Sequence, residues 1–368
     1  MKRVLVIGQT PPPYHGQSMM IERLVKGKFQ HLRIYHVRMA FSGSVESVGK
    51  FRLSKVLHLA KIVFHTIALR FRYGIDTLYY PPAGPKFVPV IRDVIILMCV
   101  RPFFKQCVFH FRAAGISEYL TNSPVWLQRL SRFAYRNPDV GIQLSALNPP
   151  DSQYFDAKKT LVIKNGLEDE GRPFVPIQRV VEKRVNVLFV GVLIPSKGVK
   201  ILLEATKLLR KWHMNCKLQL MGGFVCDEFE QECIAFCQKE QLHDYVEFLG
   251  VKTGEAKWKN YKEADILCFP TYYEAESFGN VVLEAMMFEL PVVGTRWRGV
   301  PDIVQDGKTG LLVPIQQEQA LAEKLALLIE NPDLRMRMGK EGRRVYEQEY
   351  RLESHLEAME QVFVRLDD

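Results

Sequence analysis

Two glutamates, Glu276 and Glu284, lie on either side of the segment Phe278-Gly279-Asn280-Val281. Val281, Val282, Ala285 and Met286 follow at helical spacing, so Gly279 sits just before a helix start. There a ligand can approach the backbone closely, while the first-turn amides and the positive end of the helix dipole face outward. That arrangement suits a phosphate. Carboxylates beside a phosphate repel it unless they have another task, and the economical one is to accept hydrogen bonds from sugar hydroxyls at either side of a diphosphate. A nucleotide sugar presents that set of groups. The plainer alternative places Glu284 on a solvated helix face and Glu276 in an ordinary loop.

Such residues need a rigid frame. Asp265 to Pro270 is a short apolar run closed by proline, which reads as a strand buried on both faces of a parallel sheet, and Leu290 to Thr295 is the next strand. Open α/β sheets bind ligands beyond the carboxyl ends of their strands, so both glutamates can look into one cleft there. Further strands are expected at Lys2–Gly8, Asp76–Tyr80, Lys105 onward, Val140–Ser145 and Leu161–Gly166, then at Val187–Gly191, Lys217–Gly222 and Val246–Gly250. Helices are expected at 51–71, 87–99 and 229–240, with two or three between Gln317 and Arg365. This alternation predicts two doubly wound, Rossmann-like α/β domains facing each other across a cleft, with the linker in 167–186. Gly16 lies in the loop between the first strand and first helix, the usual phosphate-approach site, although that loop lacks the Gly-Lys-Ser/Thr of a Walker A motif. His110 ends a strand where its imidazole could meet a sugar hydroxyl or an acceptor; the plainer reading is a structural histidine.

The chain has 368 residues, 47% of them hydrophobic and 25% charged, which fits about two globular domains and excludes disorder as the default. Its net charge of +9 is unevenly spread. Residues 1–180 hold 26 Lys and Arg against 11 Asp and Glu, whereas the remainder holds 24 against 30. A basic first half suits an anionic surface. The segment 51–71 has Leu53, Val56, Leu57, Ala60, Val63, Phe64 and Ile67 at helical spacing among basic residues. It reads either as a core-facing helix with a solvated cationic face or as a helix lying on an anionic membrane. No nucleic-acid module is recognisable, so nucleic acid is not the expected partner. The seven cysteines form no framework and no zinc spacing, which indicates a reducing, cytoplasmic compartment. No signal peptide or membrane-spanning run is expected, leaving a soluble or peripheral protein.

At Glu276, Glu284 and the flanking EAMMFELPVVGT, the chain resembles the E-x7-E signature of glycosyltransferase family 4, the group 1 glycosyltransferases, which are retaining enzymes of the GT-B fold. The resemblance is strong in the C-terminal half and weak in the N-terminal half. It implies that Glu276 holds the donor sugar, Glu284 the ribose, and the segment from Phe278 to Val281 the diphosphate. Gly191 to Gly198, GVLIPSKG, resembles the family loop G-R-L-x-x-x-K-G, whose arginine and lysine grip the diphosphate. Lys197 is that lysine, and Val192 replaces the arginine. The resemblance also implies an active-site role for His110, a diphosphate or acceptor contact for Arg112, a donor border at the Gly16 loop, and backbone reading of the nucleobase at Val251 and Lys252. The expected domains are 1–175 for the acceptor, 176–345 for the nucleotide sugar, and a C-terminal helix over 346–368 returning to the first. The implied reaction moves a hexosyl unit from a nucleotide diphosphate sugar to a hydroxyl of a glycan or lipid-linked acceptor in bacterial surface polysaccharide or glycolipid synthesis. Without an Asp-x-Asp motif, neither a catalytic metal nor another cofactor is expected. Two alternatives stay open: a GT-B epimerase or hydrolase acting on sugar nucleotides, and a non-catalytic nucleotide-sugar-binding subunit, which the missing arginine at Val192 allows.

Overall fold

The computed structural model describes residues 1–39, 53–175, 177 and 184–367. They form two compact units, 1–166 with 352–368, and 167–351. The first unit runs β1 (Lys2–Gly8), α1 (Gly16–Lys26), β2 (Leu32–Arg38), α2 (Leu53–Tyr73), β3 (Thr77–Tyr80), α3 (Phe87–Val100), β4 (Gln106–Phe111), α4 (Ile116–Thr121), α5 (Val125–Tyr135), β5 (Val140–Gln143), α6 (Asp151–Tyr154) and β6 (Lys159–Val162). Its six strands are parallel, in the order β2-β1-β3-β4-β5-β6. Strand order therefore reverses between β1 and β3.

Inner strands of such a sheet have no polar face, and Val4 to Ile7 are accordingly enclosed. Leu5, Ile7, Leu78 and Phe109 pack with Ile62, Val94 and Leu127 beneath α2, α3 and α5. Val4, Val6, Tyr79 and Val108 pack on the other face with Ile21 and Leu24 of α1 and with Met359 and Phe363 near the chain end. Asp93 of α3 is wholly buried and accepts from Tyr80 Oη at 2.7 Å, Tyr135 Oη at 3.0 Å, the Ala83 amide at 2.6 Å and Arg92 Nε at 2.9 Å.

The second unit runs β7 (Val185–Val190), α7 (Val199–Lys211), β8 (Cys216–Met221), α8 (Asp227–Lys239), β9 (Val246–Gly250), α9 (Gly254–Glu263), β10 (Ile266–Phe269), α10 (Asn280–Met287), β11 (Val292–Thr295), α11 (Val300–Ile303), β12 (Gly310–Val313), α12 (Glu318–Glu330) and α13 (Pro332–Glu349). The parallel order is β12-β11-β10-β7-β8-β9, with the reversal between β7 and β10. The last helix, α14 (Leu352–Val364), belongs to the first unit.

The divide falls at Gly166/Leu167, before the expected 175/176. Polar composition from Glu168 onward suits a solvated linker, but tertiary pairing holds this stretch to the second unit. The Leu167 amide donates to Tyr350 O at 2.9 Å, Tyr346 Oη donates to Leu167 O at 2.8 Å, and Asp169 forms an ion pair with the mostly buried Arg343 at 2.5 Å. Residues 176 and 178–183 of the expected linker lie outside the described residues, as do Phe51 and Arg52 of the expected helix.

Three strand readings are corrected. β2 and β12 are absent from the expected strands, β2 because Arg33 and His36 interrupt its apolar residues as befits an edge strand, and β6 ends at Val162 instead of running to Gly166. The apolar residues of α2 divide between two faces. Ile62 and Thr66 are buried and Val63 packs against the core, whereas Leu57 and Phe64 are 67% and 75% exposed.

Candidate functional site

The loops that leave β7 and β10 emerge side by side where the order of the second sheet reverses, and they carry Lys197 and Glu276. The Tyr272 amide donates to Ser196 O at 2.8 Å, joining the two loops. Gly198, at φ +81°, ends the first loop so close to the second that an added Cβ would stand 2.2 Å from the Pro270 carbonyl oxygen. Gly198→Ala is expected to destabilise the second unit by about 2 kcal/mol through the left-handed backbone and this collision; urea unfolding measures it, and an unchanged midpoint would contradict the packing.

Thr295 Oγ1 donates to Thr271 O at 2.5 Å, and Trp297 Nε1 donates to Tyr273 O at 2.9 Å, so the end of β11 fixes the loop that carries Glu276. Within this frame Lys197 Nζ lies 2.5 Å from Glu276 Oε2, and Thr271 Oγ1 donates to the same oxygen at 3.3 Å. The two paired side chains are 18% and 10% exposed. Lys197 Nζ also stands 5.0 Å from the centre of the Tyr273 ring and 5.6 Å from that of Phe269. Burial, with Glu276 and Glu274 adding to it, raises the Tyr273 phenol above its usual range.

Glu284 has separate partners. Tyr261 Oη donates to its Oε2 at 2.6 Å, and Lys257 Nζ lies 2.5 Å from its Oε1. Burial and then the Glu284 charge hold Tyr261 well above the ordinary phenol range, so Tyr261 is a donor at any physiological pH. Each glutamate is thus partly buried against its own lysine. The solvated-face alternative for Glu284 is corrected, since that residue is 9% exposed.

Gly279 caps α10 at φ +94°, a conformation suited to glycine, and Asn280 and Val281 open the helix half-buried. Phe278 is 1% exposed and packs edge-on against Tyr350 with ring centres 6.1 Å apart, so it anchors the loop from inside. Val251, 70% exposed, and Lys252 follow the edge strand β9 at the same end of the sheet. β8 separates β9 from β7, so that turn and the Lys197 loop leave the two strands that flank β8.

In the first unit, Gly16 is an exposed residue in the first turn of α1, capped by His15, whose Nδ1 accepts from the Ser18 amide at 3.2 Å. His110 does not stand at an open strand end. It is fully enclosed on the sheet face covered by α14. Arg112 Nε donates to Tyr79 Oη at 3.2 Å, and Tyr79 Oη shares a hydrogen bond with His110 Nδ1 at 3.0 Å. Arg112 Nη1 donates to Asn165 Oδ1 at 3.0 Å, and Arg112 is itself 6% exposed. Close by, His355 Nδ1 of α14 donates to Lys164 O at 2.7 Å.

Burial, then Arg112 and His355, hold His110 well below the usual imidazole range, and burial and Arg112 bring His355 down to about 3. Both are neutral when folded and charge only when unfolded. The unfolded chain therefore binds more protons below about pH 6.5, and stability falls as pH drops from there, by about 1.4 kcal/mol per pH unit for each histidine. Unfolding followed between pH 7 and pH 5 is expected to show this loss, and His355→Asn to halve it; a flat profile would contradict the buried neutral pair.

Sequence reasoning missed Thr271, Thr295, Trp297, Lys257 and Tyr261. The i,i+4 spacing of Lys257 and Tyr261 on the helix before the central strand was the available signal.

Residues 174–345 match the family model described as glycosyl transferases group 1. The capsular polysaccharide biosynthesis glycosyltransferase CapM of Staphylococcus aureus is 28% identical over 48% of this chain and 44% of its own length. The chain spans less than half the length of the curated relatives it matches. Sucrose-phosphate synthase from Thermosynechococcus elongatus superposes with a TM-score of 0.76 at 19% identity, covering 100% of this chain and 99% of the other. Anabaena HepE in complex with UDP-glucose superposes with a TM-score of 0.71 at 18% identity, covering 98% and 99%. These likenesses place both units in the GT-B fold class, and the half of the chain that holds Lys197, Glu276 and Glu284 is similar to the group 1 glycosyl transferases.

Proposed function

We propose that this protein is a retaining glycosyltransferase of the family 4 type, moving a hexosyl unit from a nucleotide diphosphate sugar to a hydroxyl of a glycan or lipid-linked acceptor in surface polysaccharide or glycolipid synthesis. The observation that carries this reading is the Lys197–Glu276 pair, held at the switch point of the second sheet beside the start of α10. Support comes from the family match over that half, from the relative named for capsular polysaccharide biosynthesis, and from the structural neighbour described with UDP-glucose. Seven free cysteines suit a reducing, cytoplasmic setting.

Cleavage of the anomeric bond leaves positive charge on the sugar and negative charge on the diphosphate. Lys197 and the first turn of α10 stabilise the departing diphosphate; preorganised groups of this kind often contribute more to rate enhancement than any other effect. Glu276 accepts hydrogen bonds from donor-sugar hydroxyls, and Glu284, fixed by Tyr261 and Lys257, accepts from the ribose. Retaining glycosidases set two carboxylates about 5 Å apart so that one attacks the sugar. Here lysines engage both glutamates, and departure and attack take place on the front face. The acceptor oxygen forms the new bond on the side the diphosphate leaves, and the acceptor proton passes to a diphosphate oxygen. The enclosed, neutral His110 acts as a positioning residue through Tyr79 and Arg112. No step is assigned to a metal.

The test supplies UDP-, GDP- and ADP-sugars with and without acceptor and measures nucleotide release. A donor that binds only the folded state raises stability by about 2.7 kcal/mol at a hundredfold excess over Kd, so a thermal-shift screen finds the base first. Release only with acceptor is the expected result. Release without acceptor indicates a hydrolase, and binding without release a non-catalytic subunit.

A further inference from the structure

The face of the first unit covered by α2, α3 and α5 is apolar on its outside as well as its inside. Leu57, Phe64 and Phe71 recur every seven residues along α2, so they form one stripe, and they are 67%, 75% and 64% exposed. Ile95 and Met98 of α3 and Trp126 and Phe133 of α5 are exposed as well. The stripes join across the helices. Phe87 of α3 meets Trp126 edge-on with ring centres 6.2 Å apart, and Phe71 meets Phe103, just past α3, at 5.8 Å. An apolar surface continuous over several elements marks an interaction site, whereas scattered exposed side chains do not.

The charges on this face have one sign. Lys61, Arg72, Arg129, Arg132 and Arg136 are exposed, and among the described residues no carboxylate pairs with any of them. The three helices contain a single acid, Asp93, which is wholly buried. A second copy laid on this face would set cations against cations. No described helix is long and apolar enough to cross a membrane, so an apolar stripe on these helices lies along a surface.

We propose that the α2, α3 and α5 face docks on an anionic lipid bilayer. Phe64, Phe71, Trp126 and Phe133 enter the headgroup boundary, and the five cations meet lipid phosphates. The membrane contact is therefore shared by three helices and uses the outward stripe of α2, not a purely cationic face. It stands apart from the transferase reading, because lipid binding is measured without donor or acceptor.

The experiment sediments the full chain with phosphatidylcholine vesicles with and without phosphatidylglycerol, following tryptophan emission. Binding to the anionic vesicles is expected to be at least about tenfold tighter, and to weaken as salt shortens the Debye length from about 30 Å to about 8 Å. Trp126 emission shifts to the blue on binding, and Trp126→Phe removes that shift. Arg129→Gln with Arg132→Gln is expected to weaken binding about 25-fold, at roughly fivefold per cation near the surface. Phe64→Ser with Phe71→Ser is expected to weaken it at least tenfold. These side chains are exposed, so the folding midpoint should hold. Should a variant unfold, the salt dependence and blue shift of the wild type still decide. Equal affinity for neutral vesicles, no shift at Trp126, folded variants that sediment like wild type, or self-association that Phe64→Ser abolishes would each overturn the proposal.

Discussion

Glu276→Gln is expected to lower sugar transfer by about 10²–10³-fold with the fold intact, and Lys197→Met to lower it as far. The amide still accepts from Lys197 and Thr271 but loses the charge that strengthens hydrogen bonds from sugar hydroxyls. The two variants differ in stability. Removing the ammonium leaves the Glu276 carboxylate, 10% exposed, without its cation, whereas Glu276→Gln leaves the better-exposed Lys197 able to reach water. Lys197→Met should therefore be the less stable protein by about 1–3 kcal/mol, and adding Glu276→Gln to it should restore stability without restoring turnover. Acceptor-dependent nucleotide release and thermal unfolding, measured on all three, form the test. Wild-type turnover in Glu276→Gln would remove that residue from the chemistry, and additive losses of stability would deny the pairing.

The largest effect on folding is expected from Asp93→Leu. Four donors converge on this carboxylate inside the first unit: Tyr80, Tyr135, the Ala83 amide and Arg92. Its charge is also the reason both phenols are held well above their usual range, after burial itself. Leucine would leave Tyr80, Tyr135 and the Ala83 amide without this buried acceptor and would remove the carboxylate that Arg92, 24% exposed, pairs with, at a cost of about 3–5 kcal/mol, most of it from the three buried donors. In a unit of this size that lowers Tm by roughly 6–20 °C, on the scale of 2–4 °C per kcal/mol. Asp93→Asn keeps an acceptor oxygen and should lose less. Calorimetry that found either variant as stable as wild type would show that the donors have other partners. Because Asp93 joins α3, α5 and the end of β3, its loss should also loosen the face of α2, α3 and α5 proposed to meet lipid.

The inner strands were legible because a strand covered on both faces must be apolar throughout, and VLVIG and VLFVG can hardly be read otherwise. Among the edge strands, β9 was legible but β2 was not. β2 carries Arg33 and His36 where neighbours cover only part of it, and its residues resemble a loop until β1 is seen beside them. At the site, the types and spacing of Glu276, Gly279 and Glu284 pointed to a sugar and a phosphate. Nothing in that spacing revealed that each glutamate is matched to its own lysine, because Lys197 and Lys257 arrive from loops and helices far along the chain.

His110 and α2 show the same limit. A strand end predicted an open imidazole, but enclosure depends on α14, which begins at Leu352 and packs on that face from the far end of the chain. Helical spacing predicted an amphipathic α2 without saying which apolar stripe would turn inward. By itself the sequence determined the doubly wound alternation, the glycine that precedes α10, and the chemical character of the site, since local backbone preference and burial period depend on near neighbours. Tertiary structure alone decided which charges meet, which histidines are sealed, and which apolar stripe faces out, since those depend on contacts between residues that only the folded sheets bring together.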